Sequence, residues 1–208
     1  TGEFNTSLGS LSMGTGVTTG DYNIALGYAA GSALTSGERN VLIGANAGDA
    51  ITTAEYCVAV GHGALSAEDT TGSTTAVGYK ALNLQNAGAE SYNVAVGFEA
   101  GKAITTGKNN TIVGGLAADA LTTGQYNVAI GYGALTAEDS YGKTVAIGYL
   151  ALATQNASTD TFNVAIGMEA GREVSTGVQN TLIGGQAGDA LTTGGNNTAL
   201  GYNALSTE

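Results

Sequence analysis

His62 and Cys57 are the chain's one histidine and one cysteine, so any thiol nucleophile with an imidazole base must be made of this pair. They stand five residues apart along one segment. In an extended strand that spacing sends the two side chains to opposite faces, which excludes the hydrogen bond such a pair requires. Carboxylates are more plentiful. Asp49, Asp119 and Asp189 recur at intervals of 70 residues, and so do the pairs Glu68-Asp69 and Glu138-Asp139. Glycosidic cleavage calls for a carboxylate pair that breaks the surrounding pattern, whereas these acids repeat in register. Calcium takes roughly six to eight oxygens around one point, and copies four coils apart lie about 19 Å from one another. The acids therefore read as solvated corners. Gly131-Tyr132-Gly133-Ala134 is not a phosphate loop, because no Lys-Ser or Lys-Thr follows it. No enzyme activity, metal or other cofactor is expected.

The elements that carry these residues are set by an unusual composition. The chain has 208 residues, 34 of them Gly, with no Pro or Trp and only 11% charged residues. Hydrophobic residues at 43% are too many for a disordered linker, and the glycines lack the three-residue period of collagen. Six basic against 17 acidic residues give a net charge of −11, which repels phosphate backbones and anionic lipid surfaces, so neither nucleic acid nor membrane insertion is expected. No apolar run reaches the roughly 18 residues of a membrane span. The opening Thr1-Gly2-Glu3-Phe4 reads as a cloning scar, and the chain stops within a unit, as an excised fragment would.

From residue 5 to 208 the sequence reads as a single repetitive domain. The string Asn-x-Ala-Ile-Gly recurs with its glycines at 27, 44, 61, 78, 97, 114, 131, 148, 167, 184 and 201. Three spacings of 17 and one of 19 make a block of 70, which then repeats. A degenerate unit ending at Gly9 brings the number to twelve. Units too short for two helices, with β-branched residues in alternation and a Thr-Thr-Gly turn after them, predict one strand and a corner per coil. The fold class is all-β, a parallel β-roll or β-solenoid of about twelve coils of 17–19 residues.

Strand alternation separates two faces. Leu, Ile or Val always precedes the glycine, as at Leu26, Ile43, Val60, Val96, Ile130, Ile166 and Leu200, and this column is expected to be core. Val128, Ile130, Tyr132 and Ala134 fall on that side, and Ala129, Gly131 and Gly133 on the other. Persistent Ala and Gly imply the close approach of another backbone, so the strand is expected to be buried on both sides and covered by sister copies in a homo-oligomer. Single coils cannot stand alone, since ordering a residue costs about 1–2 kcal/mol and burying an aliphatic returns about 1.5–3 kcal/mol.

Asn recurs four residues before the glycine at Asn23, Asn40, Asn93, Asn110, Asn127, Asn163, Asn180 and Asn197. This spacing predicts a corner ladder of stacked amides. Just before it stand Tyr22, Tyr56, Tyr92 and Tyr126, with Phe162 in register. They either close the corner or offer stacking faces to a glycan. The pairs Thr52-Thr53, Thr105-Thr106, Thr122-Thr123 and Thr192-Thr193 do not make an ice-binding array, because adjacent residues point to opposite sides of a strand.

Asn93-Val94-Ala95-Val96-Gly97, Asn127-Val128-Ala129-Ile130-Gly131 and Asn163-Val164-Ala165-Ile166-Gly167 resemble the head repeats of trimeric autotransporter adhesins. The longer form, with Tyr and Ala-Leu after the glycine and Thr-Thr-Gly before the next unit, is similar to repeats of bacteriophage tail fibres. The resemblance covers nearly the whole chain. It implies a homotrimer of left-handed coils acting as a shaft or head in attachment, on a virion tail fibre or a bacterial cell surface. Its partners would be itself and a host cell-surface glycan or protein. A carbohydrate-binding module is the alternative, ahead of an ice-binding or polysaccharide-degrading solenoid.

Overall fold

The computed structural model describes residues 2–14 and 17–207. Each unit contributes one three-residue strand: β1 (Thr6–Leu8), β2 (Ile24–Leu26), β3 (Val41–Ile43), β4 (Val58–Val60), β5 (Thr75–Val77), β6 (Val94–Val96), β7 (Thr111–Val113), β8 (Val128–Ile130), β9 (Val145–Ile147), β10 (Val164–Ile166), β11 (Thr181–Ile183) and β12 (Thr198–Leu200). The strands lie in one twelve-stranded sheet in chain order. Every neighbouring pair is parallel and in register, so that Ala129 faces Ile112 on one side and Ala146 on the other. The chain is a β-solenoid of about eleven turns.

The interior is lined by the small residues. The strand centres Ala25, Leu42, Ala59, Ala95 and Ala129 are fully buried, as is the alanine three after each glycine at Ala30, Ala64, Ala100 and Ala134. A coil of 17 residues encloses a narrow lumen, and beneath most strands alanine methyl groups fill it. The aliphatic residues flanking each strand centre point outward instead, and Val96 and Ile166 are 37% exposed. The expected faces are thus reversed: the Ala side is covered by the chain's own coil, and the Leu/Ile/Val column is surface. Sister copies are not what buries the alanines. Alternation also stops at the glycine, since Ala134 is buried while Tyr132, on the same expected side, is exposed.

Conformation explains the break. Gly131 has φ 130°, and an alanine methyl there would stand 2.6 Å from the carbonyl carbon of Gly148 in the next coil. Coils stack glycine on glycine, leaving no room for a side chain. The next turns use left-handed residues two and four after the glycine, such as Gly133 and Leu135 or Lys80 and Leu82.

The 70-residue block is a packing cycle. Leu34 and Ile51 fill the interior seven residues after Gly27 and Gly44. An alanine methyl at Gly31 would stand 2.7 Å from Leu42 Cδ1, so glycine four after Gly27 makes room for the large strand centre of the next coil. In the following two coils Leu65 and Leu82 occupy the fourth position, and the seventh becomes Glu68 and Gln85, all fully buried. Leu135, Leu152, Glu138 and Gln155 repeat the arrangement.

Candidate binding face

Three longitudinal features could carry function: a column of rings at the corner before the asparagines, a column of rings after the glycines, and a polar network inside.

The first column begins with Phe4 and continues through Tyr22, Arg39, Tyr56, Ser73, Tyr92, Asn109, Tyr126, Lys143, Phe162, Gln179 and Asn196. All of these have φ between about 50° and 61°. The neighbouring coil holds the corner in place: Tyr56 N donates to Glu38 O at 3.2 Å and Tyr126 N to Lys108 O at 3.1 Å. A left-handed residue at a corner turns the chain into the strand and throws its own side chain outward. Tyr22, Tyr56, Tyr92, Tyr126 and Phe162 are 52–58% exposed. Phe4 takes the same slot and stacks on Tyr22 at 5.0 Å; Thr1 lies outside the described residues.

Along this column aromatic and polar residues alternate from Tyr22 to Gln179. Arg39 sits between two rings, its guanidinium carbon 5.8 Å from the centre of Tyr22 and 5.5 Å from that of Tyr56. Lys143 Nζ lies 5.2 Å from the ring centre of Phe162 and 2.7 Å from Asp160 Oδ2. That ammonium holds the Asp160 carboxyl below its ordinary range, chiefly through the hydrogen bond. A shallow cleft of about 230 Å³ opens beside Tyr126, between Thr123, Gln125, Ser140, Lys143 and Asp160.

The second column is different in kind. His62, Tyr79 and Phe98 stack at 5.6 and 5.2 Å, and Tyr132 stacks on Tyr149 at 5.9 Å. It borders the outward Leu/Ile/Val residues, and together they form a nearly continuous apolar band.

Inside, the asparagines hydrogen-bond from coil to coil. Asn110 Nδ2 donates to Gly124 O at 3.0 Å, and its Oδ1 accepts from Asn127 N at 2.9 Å. The left-handed residue is the one before each asparagine, rather than the asparagine itself. Where Cys57 and Thr74 replace asparagine, a second set of groups takes over. Gln85 Nε2 donates to Glu68 Oε2 at 3.0 Å and to Ser91 Oγ at 2.9 Å. Glu68 Oε1 accepts from Thr71 N at 3.2 Å and also from the Thr71 hydroxyl. Glu68 and Glu138 are therefore interior residues, which corrects the expectation of solvated corners, and burial raises both carboxyl pKa values. Their register gives them away: each stands seven residues after a glycine, in the slot of Leu34 and Ile51.

Cys57 is fully buried, and burial pushes its thiol up to about 12. His62 lies on the outer surface against Tyr79. Asp49 accepts from Ser66 Oγ at 2.6 Å, and Asp119 accepts from Thr136 Oγ1. Among the described residues no three His, Cys, Asp or Glu side chains come together as a metal site.

Compared with protein-family models, curated proteins and solved structures, the chain matches none.

Proposed function

We propose that this chain is a non-enzymatic rod section that works in attachment, assembled as a homotrimer of left-handed coils in a phage tail fibre or a bacterial surface adhesin. The observation that carries the reading is the outward apolar band. Ile24, Val94, Val96 and Ile166 are each 37–38% exposed, Phe98 is 55% and Tyr132 is 53%, and the band runs the length of the sheet. Soluble monomers rarely leave contiguous apolar patches larger than a few hundred Å². A second copy of this chain is the natural cover because it has the same coil spacing, so each aliphatic ridge meets a groove along the whole rod. The chemistry supports a passive role: the one thiol is buried and protonated, Glu68 is engaged with Thr71 and Gln85, and Glu138 with Gln155 and the Tyr141 amide.

Light scattering tests this reading. The expected mass is three times that of the chain, and Val96→Glu with Ile166→Glu is expected to release folded single chains. A wild-type chain that is monomeric and folded overturns the trimer.

A further inference from the structure

We propose that the cleft beside Tyr126 binds one neutral pyranose, the end sugar of a surface glycan, entering from the side of the rod. This rests on the attachment reading and deepens it by naming a ligand class. The corner rings lie broadside to the neighbouring coils: Phe4 stacks on Tyr22 with the ring planes 8° apart, and Arg39 lies between Tyr22 and Tyr56. A ring face is closed wherever the adjacent side chain lies against it. Tyr126 differs. The side chain that follows it in the column, Lys143, is drawn onward to Asp160 Oδ2 at 2.7 Å and to the Phe162 ring at 5.2 Å. The space left beside Tyr126 is the cleft of about 230 Å³.

Size and polarity select the occupant. The volume lies below the roughly 300–1,000 Å³ of pockets that enclose a whole small molecule, so one ring enters and the rest of a longer ligand stays outside. Gln125 and Ser140 bring an amide and a hydroxyl that make no side-chain hydrogen bond among the described residues. Lys143 and Asp160 cancel each other's charge, so the lining offers no net attraction to an anion or a cation. What remains is a set of donors and acceptors around an aromatic wall, which matches the hydroxyls and the apolar face of a sugar. The chain's net charge of −11 disfavours anionic ligands further.

The preceding block supplies an independent observation. Seventy residues earlier the places of Thr123, Gln125, Tyr126, Ser140, Lys143 and Asp160 are held by Thr53, Glu55, Tyr56, Thr70, Ser73 and Glu90. The ring, the two hydroxyls and the last acid recur. Gln125 and Lys143 are the departures, standing where the earlier block has Glu55 and Ser73. Those six earlier places carry two carboxylates and no cation, and Arg39 lies over the Tyr56 ring. Two changes in an otherwise repeated frame thus turn an acidic corner into a neutral one and draw a cation away from the ring. A purely structural repeat has no need of either.

The test titrates the nitrogen-15-labelled chain with the methyl glycosides of glucose, galactose, mannose and N-acetylglucosamine, and with methyl glucuronide as the anionic probe. The Gly142 amide, which donates to Asp160 Oδ1 at 3.2 Å, and the Lys143 amide report on the cleft. At least one neutral glycoside is expected to shift both with a millimolar dissociation constant, as suits a ligand of this size, and to bind more tightly than the glucuronide. Gln125→Glu with Lys143→Ser installs the pair that Glu55 and Ser73 already form in a folded block. It is expected to weaken binding by about tenfold or more, while Glu55→Gln leaves binding unchanged. Tyr126→Asn, which places there the corner residue of Asn109 and Asn196, is expected to weaken it likewise. Neutral glycosides that leave both amides unmoved at tens of millimolar, binding indifferent to these variants, or tighter binding of the glucuronide overturns the proposal. If the trimer mass persists in those cases, the rod reading survives without this ligand.

Discussion

Gln85 Oε1 accepts a hydrogen bond from Asn93 Nδ2 at 2.8 Å. At Asn23, Asn40, Asn110 and Asn197 the side-chain amide donates instead to the asparagine of the coil before, as Asn40 Nδ2 does to Asn23 Oδ1 at 3.1 Å. At Asn93 the preceding coil offers Thr74, and Gln85 reaches in to replace the missing amide. Gln155 does the same for Asn163 at 2.7 Å. The ladder is thus spliced once in every 70-residue block, at the coil that is two residues longer.

Cys57→Asn is expected to stabilise the chain by about 1 kcal/mol, the net worth of an added hydrogen bond. The next block already contains the control: Asn127, 70 residues on, accepts from Thr144 N at 3.1 Å and donates to Tyr141 O at 3.3 Å. Cys57 offers Thr74 only a sulfur, a weak acceptor. Hydrogen exchange at the Thr74 amide checks this directly, with slower exchange expected in the variant.

Asn110→Ala removes a side chain that satisfies both Gly124 O and Asn127 N. Leaving these buried groups unpaired is expected to cost about 2–4 kcal/mol. Asn197→Ala, at a half-buried position in the last coil, is expected to cost less. Urea unfolding of the two variants side by side measures the difference.

Glu68 and Glu138 give a signed pH dependence. Burial raises both pKa values above the ordinary 4.5, so the folded chain holds these protons more tightly than the unfolded one. Their contribution to stability is complete below about pH 4.5 and is lost as pH rises through the folded-state values. The urea midpoint is expected to fall between pH 4.5 and pH 7, and to fall less steeply in a Glu68→Gln, Glu138→Gln double variant.

Gly131→Ala is expected to destabilise by more than about 3 kcal/mol, since the methyl has no space and the φ of 130° is closed to it. At Gly115 an added methyl would meet only the Tyr132 ring, at 3.4 Å. Gly115→Ala is expected to change stability by less than about 0.5 kcal/mol. Thermal unfolding of both separates the stacking glycines from those that are merely small.

The strands and their parallel order were legible because the glycine column marks one fixed point in every coil. Which face turns inward was not. Alternation divides Val128 and Ile130 from Ala129 but assigns neither side to the lumen, and the rule that aliphatics are core misleads where the interior beneath the strand is mostly filled by alanine and the larger aliphatics enter from the turns, as at Leu34 and Leu65. Leu42, Ile112 and Leu182 reach into that space only because glycine or alanine yields room around them. Glu68 was misread for a related reason: acid predicts solvent, while the register with Leu34 and Ile51 predicts burial, and the register was the better guide. The alternation of Tyr with Arg39 and Lys143 was visible in the sequence, but its meaning needed the knowledge that every one of those side chains leaves the same corner.

The splice at Gln85 and Gln155 has a bearing on how such a rod changes length. Removing or duplicating a single coil would set an unspliced asparagine against a threonine, or a leucine-filled cross-section against one already full. Cutting or inserting four coils together rejoins surfaces of identical shape and polarity. Rods of this kind therefore grow or shrink in steps of one whole block, and the surface pattern stays in phase from end to end.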